Sequence, residues 1–271
     1  MNHRSSELRC TIILILIAMI FGSCEDYFEY SPYAANVKSS HNEIYVKNFK
    51  RLTDQDHGQN DEIKIAVIAD SHYNYHELNK AVVNINSREN IDFVVANGDI
   101  TDHGYLMEYE LFHEQMHKLI SPYLTVIGNH DYKSNGDKIY KKMYGSFNKS
   151  FVYNDYYFIL FDDVFWESSK EPDFNWLENE LIKSASYEKT FVFCHIPPYG
   201  EQFPNDFEIV YRKLMLEYKV DLSIHGHVHR YQYEDYYKDG MIYLTVESIM
   251  DKEYCIITIH NDSIVVEAIK Y

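Results

Sequence analysis

The chain of 271 residues predicts an α/β domain with at least partly parallel sheets and a strand-rich second half. Three observations carry that prediction. Short, β-branched apolar runs recur along the chain. Segments with apolar residues at helical spacing separate the early ones. Most of these early runs stop at a cluster of Asp, Asn, His and Gly. Strands alternating with helices build a parallel sheet covered by helices, and such sheets bind ligands at the carboxyl ends of their strands.

The elements follow in order. Residues 63–69 (IKIAVIA) have the length and composition of a buried strand. Residues 75–88 place Leu78, Ala81, Val82 and Ile85 on one helical face. A second strand is expected at 91–96, a helix at 104–120 and a third strand at 123–127. The runs 151–153 and 156–161 flank Asn154-Asp155, a tight hairpin turn. Helices are expected at 174–182 and 206–218, on either side of a strand at 190–194. Strands at 221–224, 231–238, 241–246, 254–260 and 263–270 complete the chain, with turns at Asp239-Gly240 and Asn261-Asp262.

Hydrophobic residues make up 46% of the chain, enough for a sizeable core and against global disorder. A net charge of −17 argues against affinity built on neutralising nucleic-acid phosphates, so no nucleic-acid partner is expected. The four cysteines, Cys10, Cys24, Cys194 and Cys255, contain no Cys-x-x-Cys pair. Cys194 reads as a small buried hydrophobe, and a Cys194–Cys255 disulfide is left open.

The N-terminus reads as an address. Arg4 and Arg9 precede the apolar run 11–21, and Gly22-Ser23-Cys24 follow. A basic segment, a short apolar segment and small residues describe a secretory signal. The run is too short to span a bilayer comfortably. Phe21-Gly22-Ser23-Cys24 resembles a bacterial lipobox, which makes Cys24 a lipidation site and the protein a lipid-anchored envelope protein of the outer membrane or periplasm, or of the cell surface. An ordinary cleaved signal peptide is the other reading. Residues 25–62, polar and poorly periodic, are expected to be a tether or an extension packed on the domain edge. The catalytic domain is placed at 63–271.

The chemistry lies where strands stop. The clusters are Asp70-Ser71-His72, Asn97-Gly98-Asp99, Gly128-Asn129-His130-Asp131, His195, and Gly226-His227-Val228-His229. Asp70, His72, Asp99, Asn129, His195, His227 and His229 offer oxygen and imidazole ligands without thiolate, a set suited to Zn, Mn or Fe. Seven ligands exceed one ordinary site. They suit two adjacent divalent ions sharing one carboxylate, an arrangement that serves phosphoester hydrolysis.

These five clusters, in this order behind apolar strands, resemble the calcineurin-like metallophosphoesterase superfamily over about 70–229. The resemblance implies a four-layer α/β/β/α sandwich with two central mixed β-sheets. It also implies one metal on Asp70, His72, Asp99 and His229, and a second on Asp99, Asn129, His195 and His227. Asp99 would bridge them, and a metal-bridging hydroxide would attack phosphorus. His130 would protonate the leaving group or stabilise the transition state. Asp131 would orient His130 or a neighbouring ligand, or simply close a loop. Asp102 and His103 would touch substrate or start a helix. Family members acting on phosphoproteins carry Arg where this chain has His103, which favours a small phosphodiester substrate over a monoester. His225 reads as structural. Two alternatives stay open: an inactive cell-surface binding protein on the same fold, and a phosphatase of membrane-derived lipid phosphates. The sequence indicates no oligomeric state.

Overall fold

The computed structural model describes residues 31, 33–54, 62–260 and 263–271. The leader, Cys24, most of the loop at 54–62 and the turn Asn261-Asp262 lie outside the described residues. Ala35–Tyr271 form one unit, described below; Met1–Ala34 form another. No helix among the described residues is long and apolar enough to cross a membrane.

Two mixed sheets face each other. The five-stranded sheet contains β1 (Glu62–Ile68), β2 (Phe93–Asn97), β3 (Tyr123–Val126), β10 (Glu253–His260) and β11 (Ser263–Lys270), in the order β11-β10-β1-β2-β3. β1, β2 and β3 run parallel, and β10 pairs antiparallel with β1. The six-stranded sheet contains β4 (Lys149–Tyr153), β5 (Tyr156–Leu160), β6 (Lys189–Phe193), β7 (Leu222–His225), β8 (Gln232–Glu234) and β9 (Tyr243–Thr245), ordered β4-β5-β6-β7-β9-β8. Its edge strands are antiparallel and its centre parallel.

Strand periodicity makes the layers. Ile63, Ile65, Val67, Phe93 and Val95 of the first sheet pack against Phe158, Leu160, Phe191, Phe193 and Ile224 of the second. The alternate residues Ala66, Ile68, Val94 and Ala96 face outward and are covered by α2 (Tyr75–Asn86), α3 (Leu106–Met116) and α4 (Gly136–Tyr144). On the far side Ile159, Val192 and Cys194 meet α5 (Phe174–Ser184) and α6 (Asn205–Glu217). The result is the α/β/β/α sandwich. Strands buried on both faces read as unbroken apolar runs, which is how they were legible.

Several elements differ from expectation. α1 (Ile44–Thr53) lies in the stretch that seemed poorly periodic. It buries Ile44, Asn48 and Leu52, spaced by four, so one buried position is polar and the apolar stripe is broken. α4 was missed for a similar reason, since Gly136, Tyr140 and Tyr144 are three of its five buried residues. The expected strand 231–238 is cut to β8, because the Asp235 carboxylate accepts from the N–H groups of Asp239 and Gly240 and closes a turn there. The β4–β5 turn is as expected: Asn154 and Asp155 both have positive φ, at 50° and 62°, the conformation of a type I′ hairpin. Cys194 and Cys255 are free thiols in different layers, so the disulfide left open above does not form.

Candidate metal centre

The parallel strands of both sheets deliver their carboxyl ends to one edge. Asp70 follows β1, Asp99 follows β2 and Asn129 follows β3; His195 follows β6, and His227 and His229 follow β7. The backbone there turns sharply. Asp70, His72, Asp99, His227 and His229 all have left-handed φ values, between 44° and 69°. Non-glycine residues hold such angles at a cost of about 1–3 kcal/mol each, and such strain gathers at functional sites. Two glycines make room. Gly98 has φ +91°, and a Cβ there would lie 2.2 Å from His195 Nδ1. A Cβ on Gly128 would lie 2.2 Å from the Asp99 backbone nitrogen and 2.3 Å from its carboxylate.

Two of the four convergent groups among the described residues are built entirely from the candidate ligands. Asp70, His72 and His229 converge within 4.8 Å of one another, and so do Asp99, His195 and His227. Asp99 Oδ2 lies 3.3 Å from His195 Nε2 and 3.9 Å from His72 Nε2, so it faces both groups. Asp70 Oδ1 lies 3.2 Å from His229 Nε2. Asn129 Oδ1 is 3.1 Å from His227 Nδ1.

These residues fit divalent cations. The donors are carboxylate, amide oxygen and imidazole. His195 Nδ1 is held 2.9 Å from the carbonyl of Asn97, which turns Nε2 toward Asp99. That Nε2 is buried 3.3 Å from Asp99; burial opposes its charge, but Asp99 and Asp70 outweigh it and push the His195 pKa up to about 10, so a cation binding here would displace the ring proton. Burial pushes the pKa of His227 down to about 4 and lowers that of His72, so both rings are neutral and able to ligate at pH 7. Burial opposes the charge on Asp99, but His195, His130 and His72 outweigh it and hold the carboxyl well below its usual range.

The family model for calcineurin-like phosphoesterases matches residues 63–231, which take in every candidate ligand. The chain belongs to the calcineurin-like phosphoesterase family. Its catalytic unit is that of a metal-dependent phosphoesterase. It is 30% identical over 145 residues to a probable glycerophosphodiester phosphodiesterase of Arcobacter nitrofigilis, covering 46% of this chain and 51% of that protein. The chain thus spans about half the length of that relative. It is 22% identical over 195 residues to a probable cyclic nucleotide phosphodiesterase of Xenorhabdus bovienii, covering 62% of this chain and 78% of the relative. Among solved structures, a purple acid phosphatase from yellow lupin seeds has the same fold, with a TM-score of 0.63 at 15% identity over 77% of this chain and 51% of that one.

Around this phosphoesterase site the structure redistributes several roles. Asp131 makes no hydrogen bond to the His130 ring. Its buried carboxylate accepts from the N–H groups of Gly128 and Thr101 at 2.9 Å, from the Thr101 hydroxyl at 2.8 Å and from the Ile100 N–H at 3.3 Å. It therefore ties the loop carrying Asn129 to the loop carrying Asp99. Asp102 holds His130 instead: His130 Nδ1 lies 2.9 Å from its carbonyl and 3.1 Å from its Oδ1. His103 is exposed, stacked on Tyr105 and paired with Asp102 and Glu108. The helix start belongs to Glu108, which accepts from the N–H groups of His103 and Tyr105. His225 is fully buried, with Nδ1 3.1 Å from the Ile196 carbonyl and Nε2 2.8 Å from the Ser223 hydroxyl, a structural placement.

Three residues escaped the sequence reading. Glu167 accepts from Asn129 Nδ2 at 3.0 Å, which aims the amide oxygen of Asn129 at His227. Glu167 ends no strand, so nothing local marked it. Asp163 accepts from the backbone N–H groups of His195 and Ile196. It lies just beyond β5 and obeys the same strand-end rule, which could have found it. Lys133 Nζ lies 2.8 Å from His130 Nδ1.

Proposed function

We propose that this chain hydrolyses small phosphodiesters at a two-cation centre. The observation that carries the reading is Asp99, whose carboxylate faces both ligand groups. Asp70, His72, Asp99 and His229 would hold one cation, and Asp99, Asn129, His195 and His227 the other. Bound there, two divalent cations supply an acidified water and neutralise charge on the phosphoryl oxygens.

The chain's own residues do the rest. The buried carboxylates of Asp70 and Asp99 offset the charge of the cations in a region closed to bulk water. His130 converges with His72 and Asp102 but falls outside the two groups built on Asp70 and Asp99. With its Nδ1–H donated to Asp102, a ring that also holds a proton on Nε2 can give that proton to the departing alkoxide and be left neutral. Preference for a diester is supported by the surroundings of His103: a partly neutralised, exposed imidazole is no clamp for the second charge of a monoester. Exposed apolar side chains also adjoin ligands in the chain, namely Tyr73 after His72 and Val228 between His227 and His229. They offer a surface for the second alcohol of a diester. Both curated relatives carry phosphodiesterase names.

The test compares bis(4-nitrophenyl) phosphate with 4-nitrophenyl phosphate on protein loaded with Mn²⁺ or Zn²⁺, with bound metal counted. The expected result is two ions per chain and at least tenfold higher kcat/KM on the diester. Faster monoester hydrolysis would overturn the diester preference, and full activity with one ion would overturn the two-cation reading.

Envelope anchoring through Cys24 is part of the same proposal, and rests on the leader sequence. Mass spectrometry of protein from a bacterial host should find a diacylglyceryl group on Cys24. An unmodified Cys24, or cleavage beyond it, would reject the anchor.

A further inference from the structure

Phe93, Val95 and Asn97 alternate along β2 and share the face turned to the six-stranded sheet. The first two pack in the apolar layer between the sheets, and the third is a fully buried amide. Asn97 Nδ2 donates across that layer to the carbonyl of Cys194 at 3.0 Å and to that of Ile224 at 3.3 Å. Cys194 directly follows β6, and Ile224 lies in β7. We infer that the Asn97 side chain is a positioning residue for the metal centre, locking the two sheets in the alignment that brings ligands of both onto one cation. The inference rests on the two-cation centre proposed above.

Both candidate cation sites straddle the sheets. Asp70, His72, Asp99 and Asn129 follow strands of the five-stranded sheet, and His195, His227 and His229 follow strands of the six-stranded one. Hydrogen bonds within a sheet align the ligands of that sheet alone. Apolar packing between the sheets is non-directional and tolerates small slides. A buried amide does not: a slide breaks its bonds and leaves polar groups unpaired in an apolar layer. The tie is also placed where alignment matters. Asn97 stands two residues before Asp99, and its acceptor Cys194 one residue before His195. The Asp70 carboxylate crosses the same edge, accepting from the His227 N–H at 3.0 Å, but it is itself a ligand that a cation would engage.

The amide itself points to alignment rather than to stability. Only its NH2 end can meet two carbonyls, which fixes its orientation. Its Oδ1 is then buried with no hydrogen-bond partner among the described residues, a cost that an apolar side chain in this layer would not carry. The backbone carbonyl of Asn97, 2.9 Å from His195 Nδ1, is present with any residue at this position, so substitution isolates the side chain. The other end of β2 supplies a control. There Tyr153 of β4 donates its hydroxyl to the Asp92 carboxylate at 2.9 Å, a second bond between the sheets, at the end of β2 away from the ligands.

The test compares the full chain with Asn97→Leu, which keeps the size without the donor, with Asn97→Ala, and with Tyr153→Phe. Urea unfolding measures stability, and titration of the metal-free protein with Mn²⁺ measures affinity. The electron paramagnetic resonance spectrum of the loaded protein shows whether two Mn²⁺ ions are magnetically coupled. Both Asn97 variants should fold, bind Mn²⁺ at least tenfold more weakly, the scale of loss when the support of a ligand is disturbed, and lose the coupled signal. Tyr153→Phe should lose stability yet keep the affinity and the spectrum. Wild-type affinity and spectrum in a folded Asn97 variant would overturn the inference. So would an equal loss of affinity in Tyr153→Phe, which would mark a general loosening of the sheets, and so would failure of both Asn97 variants to fold. A wild type that takes one ion rejects the two-cation reading instead. That ion would still draw ligands from both sheets, so the tenfold loss of its affinity in the Asn97 variants decides the inference separately.

Discussion

His130 Nδ1 lies 2.9 Å from the carbonyl oxygen of Asp102, so the loop after β2 sets the orientation of a ring carried by the loop after β3. Lys133 approaches the same nitrogen at 2.8 Å. One nitrogen cannot donate to the carbonyl and accept from the ammonium at once. Only a ring that donates Nδ1–H to Asp102 can release a proton from Nε2 and be left neutral.

Leaving-group protonation therefore has a specific signature. His130→Ala should lower kcat about 10²-fold on an alkyl phosphodiester, within the usual range for a lost general acid. The loss should be much smaller on 4-nitrophenyl esters, whose leaving group needs no proton. Equal losses on both substrate types would remove His130 from this role.

Asp99 should be needed for metal retention as well as turnover. Asp99→Asn keeps the size but halves the acceptor capacity and removes the charge that offsets two cations. Activity should fall by about 10²–10³-fold or more, and elemental analysis should find fewer ions per chain. Undiminished activity and metal content would defeat the assignment.

Gly128→Ala tests the close approach beneath Asp99. The added Cβ would meet the Asp99 backbone nitrogen at 2.2 Å, and backbone cannot swing aside as a side chain does. The loop must shift and carry the carboxylate with it. Metal affinity should fall about 10–100-fold, the range seen when the support of a ligand is disturbed. Titration with Mn²⁺ measures it; wild-type affinity would mean that the loops yield freely.

Asp131→Ala should act on stability first. It leaves the N–H groups of Gly128 and Thr101 and the Thr101 hydroxyl without their acceptor. Buried donors left unsatisfied cost about 1–3 kcal/mol each, with partial relaxation, so a loss of about 3 kcal/mol is expected. Urea unfolding measures it. A loss below 1 kcal/mol would indicate that water replaces the carboxylate.

Acid should weaken the fold partly through His113. Burial pushes its pKa down to about 4 from 6.5, with His41, His117 and Lys47 adding repulsion. The folded state thus favours the neutral ring. Its stabilising contribution is complete above pH 6.5 and is lost as the pH falls toward 4, because the unfolded chain takes up the proton first. The ring is only partly buried, so about 1 kcal/mol is expected after solvent screening. His113→Gln should flatten the decline of the urea midpoint between pH 7 and pH 4.5 by that amount. An unchanged slope would place the acid sensitivity elsewhere.

The class of fold and the seven candidate ligands were legible in the order of residues alone. Both are local properties: a strand buried on two faces must be apolar throughout, and the polar residues that stop it stand at its carboxyl end. Which loops lean on which became visible in the folded chain. Asp131 and Asp102 flank His130 at similar short distances in sequence, yet only Asp102 meets the ring, because Asp131 turns inward to the backbone of Gly128 and Thr101. Glu167 reaches Asn129 from a loop that follows β5, with no pattern to announce it. Hydrogen bonds of this kind depend on where separate segments meet in space, and periodicity along one segment holds no record of that.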